Sequence, residues 1–213
     1  MIRALIRKLT RRDAAIDGIV ERGPAGLSSD DHDRVYQEGW DLIAPYMPLH
    51  NHESRRARSR KSRSDVERGI RLLQFITRAN PANWSAHWII GKGYQALGNS
   101  HAACDAFRAS FELQKDNPDV AREYMFECLN LGRAEDGVAA ARHAVSLQPS
   151  NVGLRANLAI ALLIAADLDS AEMTVAQALT ADPNDAITKN VAQMIRDVRA
   201  GRRPQPRRFG DLQ

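Results

Sequence analysis

Three groups of side chains in this 213-residue sequence have types and spacing that could do chemistry. His50, His52 and Glu53 could ligate a metal. No further His or Cys stands near them, however, and a structural zinc site needs about four ligands, so no metal is assigned. Gly91, Lys92 and Gly93 resemble part of a phosphate cradle, but the upstream glycine spacing and the following Ser or Thr of a phosphate loop are missing, and the segment reads as helix. Cys104 and Cys128 are the only cysteines. Two are too few for a disulfide framework in a chain of this size, which points to buried thiols in a reducing compartment. No local Cys, His and Asp signature for a nucleophile and its base occurs. No catalytic residue and no cofactor is therefore expected, and the chain does not read as an enzyme.

The densest charge is Arg55, Arg56, Arg58, Arg60, Lys61 and Arg63, interleaved with serines. These six are candidate anion-binding residues for phosphate, anionic lipid or an acidic protein; the plainer reading is a solvated, disordered insert. No aromatic interleaves them for base stacking, so specific nucleic-acid recognition is not expected. Residues 1–63 carry 13 basic and 9 acidic side chains, residues 64–182 carry 10 and 14, and residues 183–213 carry 7 and 3. The acidic centre lacks the concentrated Lys and Arg that phosphate binding requires, which restricts any such role to the ends.

The elements that hold these residues are helical by composition: aromatics make up 6% of the chain and nine prolines leave little material for sheet. The longest apolar stretch, Leu158 to Ala166, is far below the roughly 20 residues that span a bilayer, so no transmembrane segment is expected. Met1 to Leu9 mixes Arg3, Arg7 and Lys8 into its apolar residues and makes a poor secretory signal, which favours a cytoplasmic location.

The organisation is repetitive with a period of 34 residues. Gly98, Gly132 and Ala166 follow Leu97, Leu131 and Ala165; Ile90, Tyr124 and Leu158 lie upstream in phase, as do Gly91, Met125 and Ala159; Ala103, Gly137 and Ala171 lie downstream. Small residues at these points let helix axes approach closely. Pro149 and Pro183 close two of the units. Pro118 falls where it can open a helix, so the helix before it is expected to run longer than its counterparts.

This pattern resembles the tetratricopeptide repeat: two antiparallel helices joined at a Gly turn, with Pro before the next unit. The resemblance covers residues 84–185 as three units and implies an all-α solenoid, a right-handed superhelix of helix pairs. Around it the sequence predicts a basic amphipathic helix and linker over 1–29 and a divergent repeat over 30–83. In that repeat, Asp30 to Ala44 and Ser64 to Ala79 form the helices and 48–63 the arginine-rich insert. A capping helix is expected over 186–200 and a disordered basic tail over 201–213.

The resemblance places a partner on the concave side, lined by the first helix of each unit. Helical geometry then selects Trp88, Lys92 and Gln95, next Arg122, Phe126 and Leu129, next Asn157, Ile160 and Leu163, with Met194 from the last helix. Relatives that grip a C-terminal carboxylate present a ladder of Lys, Arg and Asn there. Trp88, Phe126, Ile160 and Leu163 take up that surface here, so the expected guest is a peptide or an amphipathic helix of a protein partner. Two occupants stay open: such a guest, or the chain's own N-terminal stripe of Ile2, Leu5, Ile6 and Leu9. The alternatives to an adaptor are a structural subunit that assembles with itself or a larger complex, and a regulator docking on anionic surfaces through its basic N-terminal segments.

Overall fold

The computed structural model of the protein describes residues 13–47 and 57–212. His50, His52, Glu53, Arg55, Arg56 and the stripe from Ile2 to Leu9 lie outside them. Among the described residues every regular element is helical, and no helix is long and apolar enough to cross a membrane.

Two units divide the chain, Met1–Leu113 and Gln114–Gln213. The first contains α1 (residues 13–21), α2 (Ser29–Ile43), α3 (Arg60–Ala79), α4 (Trp84–Leu97) and α5 (Ser100–Leu113). Ser28 caps α2, accepting from the Asp31 N–H at 3.2 Å. Asp30 and Asp31 in the first turn suit the positive end of the helix dipole. Proline at position 45 diverts the chain into a 3-10 turn, Ala44–Tyr46. Helices α2 and α3 run antiparallel: a Cβ built on Gly39 would meet Leu73, and one built on Gly69 would meet Ile43. α3 begins at Arg60, not Ser64, because Ser59 supplies the cap, accepting from the Ser62 N–H at 3.0 Å. Arg60, Lys61 and Arg63 therefore stand on a helix and not in an unstructured insert. Ala57 is buried just before them, its N–H donating to the Ala96 carbonyl at 3.1 Å. The core of this unit gathers Val35, Ile43, Leu73, Phe75, Ile76 and Ile89, with Ile16 and Ile19 of α1. On the outer side Arg68 of α3 ties α1 down through Asp13 at 3.0 Å and Asp17 at 3.1 Å.

The second unit contains α6 (Pro118–Asn130), α7 (Ala134–Leu147), α8 (Val152–Ile164), α9 (Leu168–Ala181) and α10 (Ala186–Arg199), then a 3-10 turn, Phe209–Leu212. Pro118 opens α6 as expected. The helix before it, however, is no longer than its counterparts: α5, α7 and α9 each have 14 residues and end one period apart at Leu113, Leu147 and Ala181. Proline at the first helical position needs no extra chain ahead of it, since its missing N–H lacks a partner there in any case.

The structure also displays a ladder of caps. Asn83, Asn117, Asn151 and Asp185 each accept from backbone N–H groups in the first turn of α4, α6, α8 and α10. Their spacing is one period, so α10 starts in register with the first helices of the repeats.

The turns follow the same rule. Gly98 (φ 76°), Gly132 (φ 74°) and Ala166 (φ 62°) are all left-handed. In each, the next residue donates back across the turn: Asn99 to the Tyr94 carbonyl, Arg133 to Cys128 and Asp167 to Leu162, at 2.8–3.0 Å. α10 ends likewise at Gly201 (φ 68°), with Arg202 donating to the Asp197 carbonyl at 2.8 Å. Within the pairs, a Cβ on Gly91 would strike Phe107 at 2.6 Å and one on Gly137 would strike Leu129 at 2.6 Å, so glycine is what lets these helices close on each other.

Candidate functional face

In the first unit one of the three α4 residues, Lys92, stands apart from the other two. Lys92 is buried at 4% exposure and folds over two rings, with Nζ 5.3 Å from the Trp88 ring centre and 5.8 Å from that of Phe107. It serves the α4–α5 pair by cation–π contact and does not stand out as a free charge. Trp88 and Gln95 are half-buried.

In the second unit α6 and α8 pack side by side, with α10 next to α8. Leu129 and Leu163 have no exposed surface and Ile160 is 8% exposed. Leu129 points at Gly137 of α7 and is a packing residue of that pair, which corrects its assignment to the groove. A helix 100° per residue in phase places such residues only to within a turn, and the glycine opposite drew Leu129 inward. Arg122, Phe126, Asn157 and Met194 keep part of their surface. Arg122 is held at the start of α6 by Asp119 at 2.7 Å, with Glu123 at 3.7 Å.

Residues 201–212 are ordered on this face, against the expectation of a disordered tail. Arg202 pairs with Asp197 at 2.7 Å. Gln205 donates its side-chain N–H to the carbonyl of Leu163 in the last turn of α8, a carbonyl that also accepts from the Ala166 N–H at 3.1 Å. Pro206 is buried. The Phe209 ring meets the Phe126 ring edge-on, 5.1 Å between centres and 81° between planes, the arrangement aromatic pairs favour. The backbone carbonyl of Arg207 passes within 3.6 Å of where a Gly132 Cβ would stand.

The segment is also closed on itself. Asp211 accepts from the Arg207 N–H at 2.8 Å and the Arg208 N–H at 2.9 Å, and Arg203 donates to the Asp211 carbonyl at 3.1 Å. Those two backbone N–H groups, helped by the charges of Arg208 and Arg207, hold the Asp211 carboxyl below the usual carboxylate range. Asp197 is held low chiefly by the Arg202 side chain and then by Gln193.

Composition hid this docking. Paired arginines and two prolines make the segment polar, yet a single aromatic, Phe209, and an acid three residues after Arg208 were the available signals. Of the candidate anion-binding residues, Lys61 pairs with Asp65 along α3.

Antiparallel helix pairs with glycine contacts, left-handed turns and caps repeating every 34 residues define an all-α helical-repeat solenoid. The repeats are tetratricopeptide in fold, and comparison with solved structures agrees. The chain is similar to MamA, with a TM-score of 0.61 and 12% identity over 79% of this chain and 84% of that one. It is similar to YrrB, described as a TPR protein with an unusual peptide-binding site, with a TM-score of 0.57 and 18% identity over 67% and 73%. It is similar to the pilF protein of Pseudomonas aeruginosa, with a TM-score of 0.55 and 16% identity over 80% and 71%. No family model and no curated protein matches the sequence.

Proposed function

We propose that the protein is a non-catalytic interaction module that holds an extended peptide of a protein partner on the α6–α8 face. The observation that carries this reading is the chain's own 203–212 segment, which lies there as a guest would, with one ring on Phe126 and one amide on the Leu163 carbonyl. A short peptide gains little from area alone and depends on a few anchors, and this face offers an aromatic platform beside a helix-end carbonyl that can accept a further hydrogen bond. YrrB, similar in fold, is described as having a peptide-binding site, which supports the same class of work here. Phe126, Arg122, Asn157 and Met194 are the residues assigned to contact the guest. Leu129, Ile160 and Leu163 support the wall from beneath, and Trp88 and Gln95 are the corresponding candidates on α4 of the first unit.

Panning a displayed random-peptide library on the full chain tests this. The expected result is enrichment of peptides that no longer bind a Phe126→Glu chain of unchanged helicity. The reading is rejected if nothing is enriched, or if the enriched peptides bind both chains equally.

A further inference from the structure

We infer that residues 203–212 are a displaceable internal ligand that keeps the α6–α8 face closed, and that the partner which opens it presents a peptide of the same chemistry. This rests on the reading of that face as a peptide site. Three features of the segment separate it from a merely structural tail. Its hold on the helices is concentrated in a few anchors: the Gln205 amide on the Leu163 carbonyl, buried Pro206, and the Phe209 ring on Phe126. Its remaining bonds are mostly its own, with Asp211 gathering the Arg207 and Arg208 N–H groups and Arg203 reaching the Asp211 carbonyl. With the Arg207, Arg208 and Asp211 N–H groups all bonded within it, the segment can leave and return as a preformed turn. The link that tethers it is short, running from the left-handed Gly201 at the end of α10 to the first anchor at Gln205.

The chemistry of the guest follows from the anchors. It requires a side-chain amide donor for the α8 end, a proline directly after it, an aromatic ring three residues beyond the proline, and an acid two residues past the ring to close the turn. Arginines between proline and ring leave their side chains outside: Arg207 and Arg208 are both exposed.

Tethering sets the strength of the closure. A short link gives an effective concentration of about a millimolar, so a segment that binds in trans at only about 100 μM still closes the face roughly nine-tenths of the time. Any added peptide then meets an apparent affinity weakened by the open fraction.

The test uses the full chain and a labelled synthetic peptide spanning residues 202–213, followed by fluorescence anisotropy. Phe209→Ala frees the face without touching a helix. The Phe209→Ala chain is expected to bind the peptide about tenfold more tightly than the wild-type chain. Adding Phe126→Ala to that chain, or replacing the ring in the peptide by alanine, is expected to abolish binding. Equal binding by wild type and Phe209→Ala, or binding by neither, would overturn the inference. So would a wild-type dimer by light scattering that Phe209→Ala dissolves, since the segment would then be exchanged between copies. If the tail peptide fails while library-selected peptides still bind in a Phe126-dependent way, the internal-ligand inference falls and the peptide-site reading stands. If both fail, both fall.

Discussion

Gly39 of α2 and Gly69 of α3 face each other so closely that a Cβ on Gly69 would lie 2.8 Å from the Gly39 carbonyl oxygen. Two backbones meet there with no side chain between them. This is the same small-residue solution that joins α4 to α5 at Gly91 and α6 to α7 at Gly137, so the pair ahead of the regular repeats packs as they do.

Gly69→Ala is therefore expected to destabilise the first unit. Alanine would gain about 1 kcal/mol of helix propensity. The obstacle is a backbone oxygen that cannot swing away, and overpacking of this kind costs about 1–3 kcal/mol with helix displacement adding to it. A lowered thermal midpoint with α2 amides exchanging faster is the expected result; an unchanged or raised midpoint would contradict the close approach.

Ala166 is the one described non-glycine residue with positive φ, at the position that Gly98 and Gly132 hold in the other turns. The left-handed region costs a residue with a Cβ about 1–2 kcal/mol. Ala166→Gly should stabilise the second unit by about 1 kcal/mol after the unfolded chain's extra freedom is deducted. Gly132→Ala should do the reverse. Urea unfolding of the two variants measures both signs.

Leu129 and Leu163 are fully buried, whereas Phe126 keeps part of its surface. Leu129→Ala and Leu163→Ala should each destabilise by about 2–5 kcal/mol. Phe126→Ala should act mainly on the last segment, which hydrogen exchange at the Arg207 and Arg208 amides would reveal. Loss of protection there with little change in the unfolding midpoint separates a docking residue from a packing one.

Acid should release the 203–212 segment before the helices melt. Asp211 and Asp197 are both held below the ordinary carboxylate range, so their contributions are complete above about pH 4 and vanish as the pH falls through their lower folded values. NMR of the Arg207 and Arg208 amides on titration to acid gives the readout. Asp211→Asn should leave these amides loosened already at neutral pH and remove most of the acid dependence; a segment that stays docked at every pH would argue that the anchors on α6 and α8 suffice alone.

The helix pairs, their turns and the first-helix starts were legible in the chain because each depends on local rules repeated every 34 residues: small residues where helices touch, glycine where φ turns positive, proline where an N–H is dispensable. The cap ladder of Asn83, Asn117, Asn151 and Asp185 obeys the same period and was equally readable. The start of α3 was harder, since arginines in its first turn imitate a solvated insert and only the Ser59 cap marks the boundary.

Sequence by itself determined the repeating scaffold, because periodicity reports contacts between neighbours close in the chain. Tertiary structure alone decided that Leu129 turns toward Gly137, that Lys92 lies over Trp88 and Phe107, and that Phe209 returns to Phe126 across more than eighty residues. Such contacts have no period to announce them: a few anchors far apart in the chain outweigh a polar composition once a helix end and an aromatic face are already in place to receive them.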